Sequence, residues 1–290
     1  MTSPIALLKA WNLKPKKQLG QNFLLHPSTA EAIASRASLS SDDVVLEIGA
    51  GLGALTIPVA RNVKKIYALE KDQQIAELLK TEILVNQISN CEIVQGNILK
   101  IDLQTFTENA TRKIIVVGNL PYNISSQILV KLIHSRHAVE RAIVMFQQEL
   151  ARRISAQPGG KEYGRITAML RYCADIRIIS NIKASKFYPP PKVDSQVLEI
   201  RFKSTSVYGE HDEAMLFKVI KAAFGNRRKT LKNALIASEL RLLPQTALQA
   251  LGSAGIDPSR RAETLEPSEF VSLQISLKKA IERIKESHKP

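Results

Sequence analysis

The sequence predicts a doubly wound α/β domain over residues 1–205 and a small all-helical C-terminal domain over residues 206–290. Three observations carry that reading. Val- and Ile-rich runs of strand length recur through the first two thirds of the chain, stretches with helical periodicity alternate with them, and the strand-like runs stop near residue 205. Alternation of this kind implies right-handed crossovers and a parallel sheet with helices on both faces.

The strand runs are "VVLEIG" (44–49), "KIYALE" (65–70), "CEIVQGN" (91–97), "KIIVVGN" (113–119) and "RAIVMFQ" (141–147). Continuous apolar runs of this length read as strands buried on both faces. Between them, residues 72–87 place Ile75, Leu78, Leu79 and Ile83 on one helical stripe, and residues 125–135 repeat the pattern. After Pro158-Gly159-Gly160, two further strand runs at 175–182 and 195–202 are joined by the rigid "FYPPPKVD", which predicts a hairpin at the sheet edge. Four helical stretches near 212–224, 227–240, 244–253 and 267–286 make up the second domain.

Composition bounds the function. With 44% hydrophobic and 23% charged residues over 290 positions the chain can bury a real core. Its 41 Lys and Arg against 27 Asp and Glu leave a net charge of +14, which points to a polyanionic partner: nucleic acid first, an anionic membrane surface second. Cys91 and Cys173 lie far apart without a Cys-x-x-Cys spacing, so no zinc site, iron-sulfur cluster or disulfide framework is indicated and a reducing, cytoplasmic setting is expected. No apolar run reaches membrane-spanning length and "IALL" is too short for a signal segment, so a soluble protein is expected. His134, His137 and Glu140 have metal-like spacing but read as the solvated end of an amphipathic helix, and no metal is predicted.

The first strand runs into "EIGAGLGAL" (47–55). A Gly-rich turn there lets backbone approach a ligand while the next helix presents its N-terminus. Gly49, Gly51 and Ala54 satisfy the G-x-G-x-x-G/A pattern, and Glu70 follows about 20 residues on, placed for ribose hydroxyls. The glycines alone leave a nicotinamide dinucleotide open. Glu47 tilts the reading toward S-adenosylmethionine, because a carboxylate can hold the loop or a cationic amino-acid tail but would repel a pyrophosphate. Asn97, at the end of the third strand, is placed to reach the edge of an adenine.

The fourth strand ends in Asn119-Leu120-Pro121-Tyr122. Ligands of open parallel sheets lie beyond the carboxyl ends of the strands, so this tetrapeptide faces the same crevice as Gly49 and Glu70. An amide oxygen and a backbone carbonyl can accept hydrogen bonds from an exocyclic amine, Pro121 fixes the carbonyl's direction, and Tyr122 can stack on a base. The pattern indicates methylation of an sp² amino nitrogen.

These segments, with "QLGQNFL" (18–24), "QQELARRI" (147–154), "YGRITAM" (163–169), "FYPPPKVDS" (187–195), "AAFGNRRKTLKN" (222–233) and "GIDPSRRAETL" (255–265), resemble the ribosomal RNA adenine N6,N6-dimethyltransferase family, in its small-subunit group. The last two blocks lie outside the generic methyltransferase core. The resemblance implies a Rossmann-like class I methyltransferase sheet, S-adenosylmethionine bound by Asn22, Leu24, Gly49, Glu70, residue 97 and Asn119, and a helical domain that recognises rRNA. It implies dimethylation of two adjacent adenosines in a hairpin loop near the 3' end of small-subunit (16S) rRNA, with the assembling small subunit as partner, a role in its biogenesis and a monomeric protein. One departure is Asn97, where the family usually has an acid.

In this reading Tyr122 and Phe187 would sandwich an unstacked adenine, with burial in the core as the alternative for Phe187. Two basic segments would hold RNA: Lys14, Lys16 and Lys17 ahead of the cofactor residues, and Arg227, Arg228, Lys229 and Lys232 on the early turns of a helix. A dehydrogenase and a non-catalytic assembly factor are the competing readings. The first does not account for Asn119–Tyr122 or the charge, and the second does not need the motif.

Overall fold

The computed structural model describes residues 2–107, 113–203, 207–226 and 228–287, with side chains to 283. The chain divides into two compact units, Met1–Ala151 with Ala174–Ser204, and Arg152–Cys173 with Thr205–Pro290.

The first unit is built on a seven-stranded sheet. In chain order the strands are β1 (Phe23–Leu24), β2 (Val44–Ile48), β3 (Lys65–Glu70), β4 (Cys91–Gln95), β5 (Ile114–Asn119), β6 (Val139–Gln147), β7 (Ala174–Ile182), β8 (Phe187–Tyr188) and β9 (Ser195–Phe202). The sheet order is β4-β3-β2-β5-β6-β9-β7, while β1 and β8 form a separate antiparallel pair. From β4 to β6 every pairing is parallel, and β9 inserts antiparallel between β6 and β7. All seven runs read from the sequence are therefore strands, and the expected pairing of the last two occurs at the sheet edge. The burial expectation fails for β4, which is the opposite edge and leaves Glu92 and Gln95 exposed.

The seven-stranded sheet starts at β2, winds outward to β4, then returns to lay β5 on the other side of β2. Strand order thus reverses between β2 and β5, whose registers align Val45 with Ile115 and Glu47 with Val117. A crevice opens at the carboxyl ends of two such strands because their following loops leave in opposite directions. Gly118 makes the close approach possible, since an added Cβ would stand 2.6 Å from the Ile48 carbonyl oxygen. Ile33, Val45, Val59, Ile66, Ile115 and Met145 share one core cluster, and the helix Gln73–Val85 buries Ile75, Leu78, Leu79 and Ile83 as its periodicity predicts.

The second unit contains the helices Arg165–Cys173, Glu213–Ala223, Leu231–Ile236, Pro244–Ser253 and Pro267–Ser287. It begins earlier in the chain than residue 206, because residues 152–173 leave the sheet and pack with the helices. Tyr163 meets Phe224 with ring centroids 6.0 Å apart, and the Gly159 amide donates to the Glu263 carbonyl at 2.7 Å. Tyr172 stacks on Tyr208, hydrogen-bonds His211 Nε2 at 2.7 Å and donates to Glu213 Oε1 at 2.9 Å. The helix expected over 227–240 is shorter, because Thr230 is extended and caps a helix of six residues. Arg228 and Lys229 consequently sit in the turn before that helix and only Lys232 lies within it, while Arg227 is outside the described residues.

Candidate active site

One cleft at the β2/β5 reversal is lined by all the residues expected to bind a cofactor: Asn22, Leu24, Glu47, Gly49, Gly51, Glu70, Asn97 and Asn119. Its floor is the turn after β2. Gly49 and Gly51 adopt φ of 75° and 57°, a left-handed backbone that a Cβ disfavours, and a Cβ at Gly51 would press on the Phe23 ring at 3.3 Å.

Glu70 ends β3 and ties this turn to the next. Its Oε2 accepts the Gly51 amide at 2.9 Å, and its Oε1 accepts the Lys71 and Asp72 amides, each at 2.8 Å. Burial nonetheless raises its pKa, against the pull of those three donors. Asp72 then caps the helix Gln73–Val85 through the Gln74 amide.

Glu47 is fully enclosed, and its Oε2 accepts from the Thr56 hydroxyl at 2.6 Å. It therefore holds the loop to the following helix, one of the two roles expected of it. Burial pushes its pKa up to about 8, with Thr56 working against the shift and Glu70 adding to it. A carboxyl with its pKa raised in this way repels a pyrophosphate less than the sequence suggests.

Asn119 donates from Nδ2 to the Asn22 carbonyl at 2.8 Å, which leaves Oδ1 as its acceptor end. Pro121 lines the cleft, and its carbonyl accepts from the Ser125 hydroxyl at 2.9 Å. Leu120 is buried, and Tyr122 is half-buried with its hydroxyl 2.9 Å from Ser195 Oγ. Neither lines the cleft. Phe187 is corrected: only 1% exposed, its ring packs in the core with Leu24 and Ile33, so the core alternative holds and the ring is not open to a base. Its neighbour Leu24, paired with it across β1 and β8, explains that burial.

The N-terminal segment forms one wall of the cleft through Gln18 to Leu24, a role the sequence reading missed beyond Asn22 and Leu24. Asn123 Nδ2 donates to the Gln18 carbonyl at 3.2 Å, and Gln21 Nε2 donates to Asp72 at 3.1 Å. Lys16 is corrected as well: its Nζ lies 2.8 Å from Asp72 Oδ2, so it anchors this wall. Against its partial burial, Lys16 and Gln21 hold Asp72 below the usual carboxylate range. Lys14 and Lys17 are exposed. Asn97 Oδ1 accepts the Leu99 amide at 3.1 Å and keeps a second lone pair. His134, His137 and Glu140 form no metal cluster, and no group of three metal-type side chains stands together among the described residues.

The cleft suits a nucleoside with a cationic tail. Glu70 retains acceptor capacity for a diol, Asn97 faces the same space, and the acids Glu47 and Glu70 outnumber Lys71, the one lysine or arginine among the described lining residues. A parallel sheet with this order, a Gly-rich turn after its first strand and an acid ending the next define the class I methyltransferase fold. The sequence belongs to the ribosomal RNA adenine dimethylase family, whose model matches residues 12–279. It is 47% identical over 277 residues to ribosomal RNA small subunit methyltransferase A of Desulforapulum autotrophicum, covering 96% of this chain and 97% of that one. The Myxococcus xanthus protein of the same name is 37% identical, covering 96% of each chain. The crystal structure of a dimethyladenosine transferase from Plasmodium falciparum superposes with a TM-score of 0.75 at 26% identity, over 89% of this chain and 98% of that one. The 23S rRNA methyltransferase ErmE shares the fold at a TM-score of 0.64 and 24% identity, over 88% of this chain and 99% of that one. The glycine motif thus belongs to an rRNA adenine methyltransferase, and the dehydrogenase reading falls.

Proposed function

We propose that the protein uses S-adenosylmethionine to dimethylate the N6 amines of two adjacent adenosines in a hairpin loop near the 3' end of small-subunit rRNA. The observation that carries this reading is the hydrogen bond from Asn119 Nδ2 to the Asn22 carbonyl, which orients the Asn119 side chain in the cleft that holds Gly49 and Glu70. The cofactor supplies an electrophilic methyl group. Asn22, Leu24, Glu47, Gly49, Gly51, Glu70, Asn97 and Asn119 would hold it.

The chain's own task is orientation. An adenine amine delocalises its lone pair into the ring, and acceptors at Asn119 Oδ1 and the Leu120 carbonyl would take its hydrogens and turn that lone pair toward the methyl. No separate general base is needed for this. Tyr122, its hydroxyl fixed by Ser195, would stack on the flipped base. Exposed Lys14, Lys17, Arg228 and Lys229, with Lys232, would hold phosphates. We place the protein in the cytoplasm as a monomer acting during small-subunit biogenesis; among the described residues no helix is long and apolar enough to cross a membrane.

Support for the small subunit comes from the relatives' names and from residues 222–233 and 255–265. The test is transfer of labelled methyl groups to undermethylated small subunits and to naked rRNA, with the products mapped. Dimethyladenosine at two adjacent positions near the 3' end is the expected result; labelling of large-subunit rRNA instead would overturn the assignment.

A further inference from the structure

The segment Arg152–Cys173 carries four exposed basic residues that the reading above leaves unused, Arg152, Arg153, Lys161 and Arg165. Glu162 is the one acid among residues 152–165. Three other cations of the helical unit are paired with carboxylates, Lys221 with Glu239, Arg260 with Glu269 and Arg261 with Glu263. Arg152, Arg153 and Arg165 take part in none of the ion pairs among the described residues, nor do Arg228 and Lys229.

A ring contact links the segments that carry these residues. Arg153 Nη2 lies beside Gly164, 3.9 Å from where a Cβ would stand, and Arg165 is the next residue. Tyr163, on the other side of Gly164, packs on Phe224, which precedes Arg228 by four positions in the sequence. The support is rigid: the Thr167 hydroxyl donates to the Arg153 carbonyl at 2.6 Å, and the Arg171 guanidinium donates to the Ala156 and Ser155 carbonyls at 2.6 and 3.2 Å. These hydrogen bonds fix a loop whose outward side chains are cationic.

We propose that Arg153 and Arg165 join Arg228 and Lys229 in one phosphate-binding face of the helical unit, which grips the backbone of structured rRNA. The inference rests on the rRNA reading of the protein. Exposed guanidiniums without carboxylate partners match phosphate in charge and in their bidentate geometry. Each phosphate neutralised releases counterions, so the face has a measurable signature in salt dependence.

The test uses the full chain with Arg153→Gln and Arg165→Gln together, titrated with undermethylated small-subunit rRNA between low and moderate salt. The slope of log affinity against log salt should fall by about 0.9 for each phosphate that is no longer neutralised, while cofactor affinity and the thermal midpoint stay at wild-type values. The Arg153→Lys, Arg165→Lys variant should restore most of the slope, which a purely structural role would not predict. An unchanged slope in the Gln variant, with wild-type protein binding and methylating the rRNA, overturns this face alone. Wild-type protein that neither binds nor methylates rRNA overturns the functional reading beneath it. Vesicles rich in phosphatidylglycerol provide the last arm: variant-sensitive binding to them, without an effect on rRNA, also overturns the proposal.

Discussion

The cleft of the sheet unit and the basic segments of the helical unit hold their charges differently. In the sheet unit, several charges are matched: Lys16 meets Asp72, Lys65 meets Glu92, and Glu199 gathers Arg141, Arg177 and Arg201. The cleft acids Glu47 and Glu70 are buried under hydrogen bonds. In the helical unit, Arg152, Arg153, Arg165, Arg228 and Lys229 face solvent without such partners. A small ligand is recognised by donors and acceptors at fixed distances, which tolerate salt but not displacement. A polyanion is recognised by summed charge, which tolerates displacement but not salt. Substitutions in the two units should therefore fail in different assays.

Asn119→Ala should give the largest effect and the sharpest test of the contrast. Removing one preorganised polar group at a reacting centre lowers turnover by about 10²–10³-fold. Single-turnover methyl transfer at saturating cofactor should fall by that factor, with the salt slope of RNA binding unchanged. Near-normal turnover would show that the amine is oriented elsewhere.

Much of the sheet unit is legible in the sequence because its strands are continuous Val- and Ile-rich runs, a signal that needs no tertiary information. Glu47, Gly49, Gly51, Glu70, Asn97 and Asn119 are legible as cleft residues because strand ends and glycine turns fix their own place in a parallel sheet, whereas Asn22 and Leu24 are implied only by the family resemblance. What escapes depends on interactions between distant segments. Lys16 reads as one more surface cation until Asp72, 56 positions on, is found beside it. Phe187 precedes a run of prolines that suggests an exposed loop, yet its pairing with Leu24 turns the ring into the core. Residues 152–173 show only a Pro-Gly-Gly turn, and nothing local announces that Tyr163 will meet Phe224. Glu47 reads as charged because sequence carries no burial.

Glu47→Gln tests the enclosed charge directly. With a carboxyl raised from 4.5 to about 8, the folded state keeps a proton that the unfolded chain releases. Stability is thus full below pH 4.5 and falls as pH rises through the window, by about 1.4 kcal/mol per pH unit at most. Glutamine can still accept from Thr56 but does not titrate. Urea unfolding of the cofactor-free proteins should show wild type losing stability relative to Glu47→Gln between pH 5 and pH 7.5; parallel pH profiles would refute the buried neutral acid. A cationic ligand in the cleft favours the carboxylate, so wild-type binding heats should vary with the buffer's ionisation enthalpy and the variant's should vary less.

Asn97→Asp should have the smallest effect, and it probes how finely the cleft is tuned. Asn97 caps a short turn through Oδ1 and the Leu99 amide, a role that aspartate fills equally well. A carboxylate accepts a stronger, charge-assisted bond from an adenine amine than an amide does, so cofactor affinity should hold or improve by up to about 1 kcal/mol. Glu70 already lines the cleft, and a second carboxylate in the same space opposes part of that gain. A clear loss of affinity by titration calorimetry would mean that Asn97 donates from Nδ2 to a ring nitrogen and does not accept from the amine, a distinction that separates the two edges of the adenine.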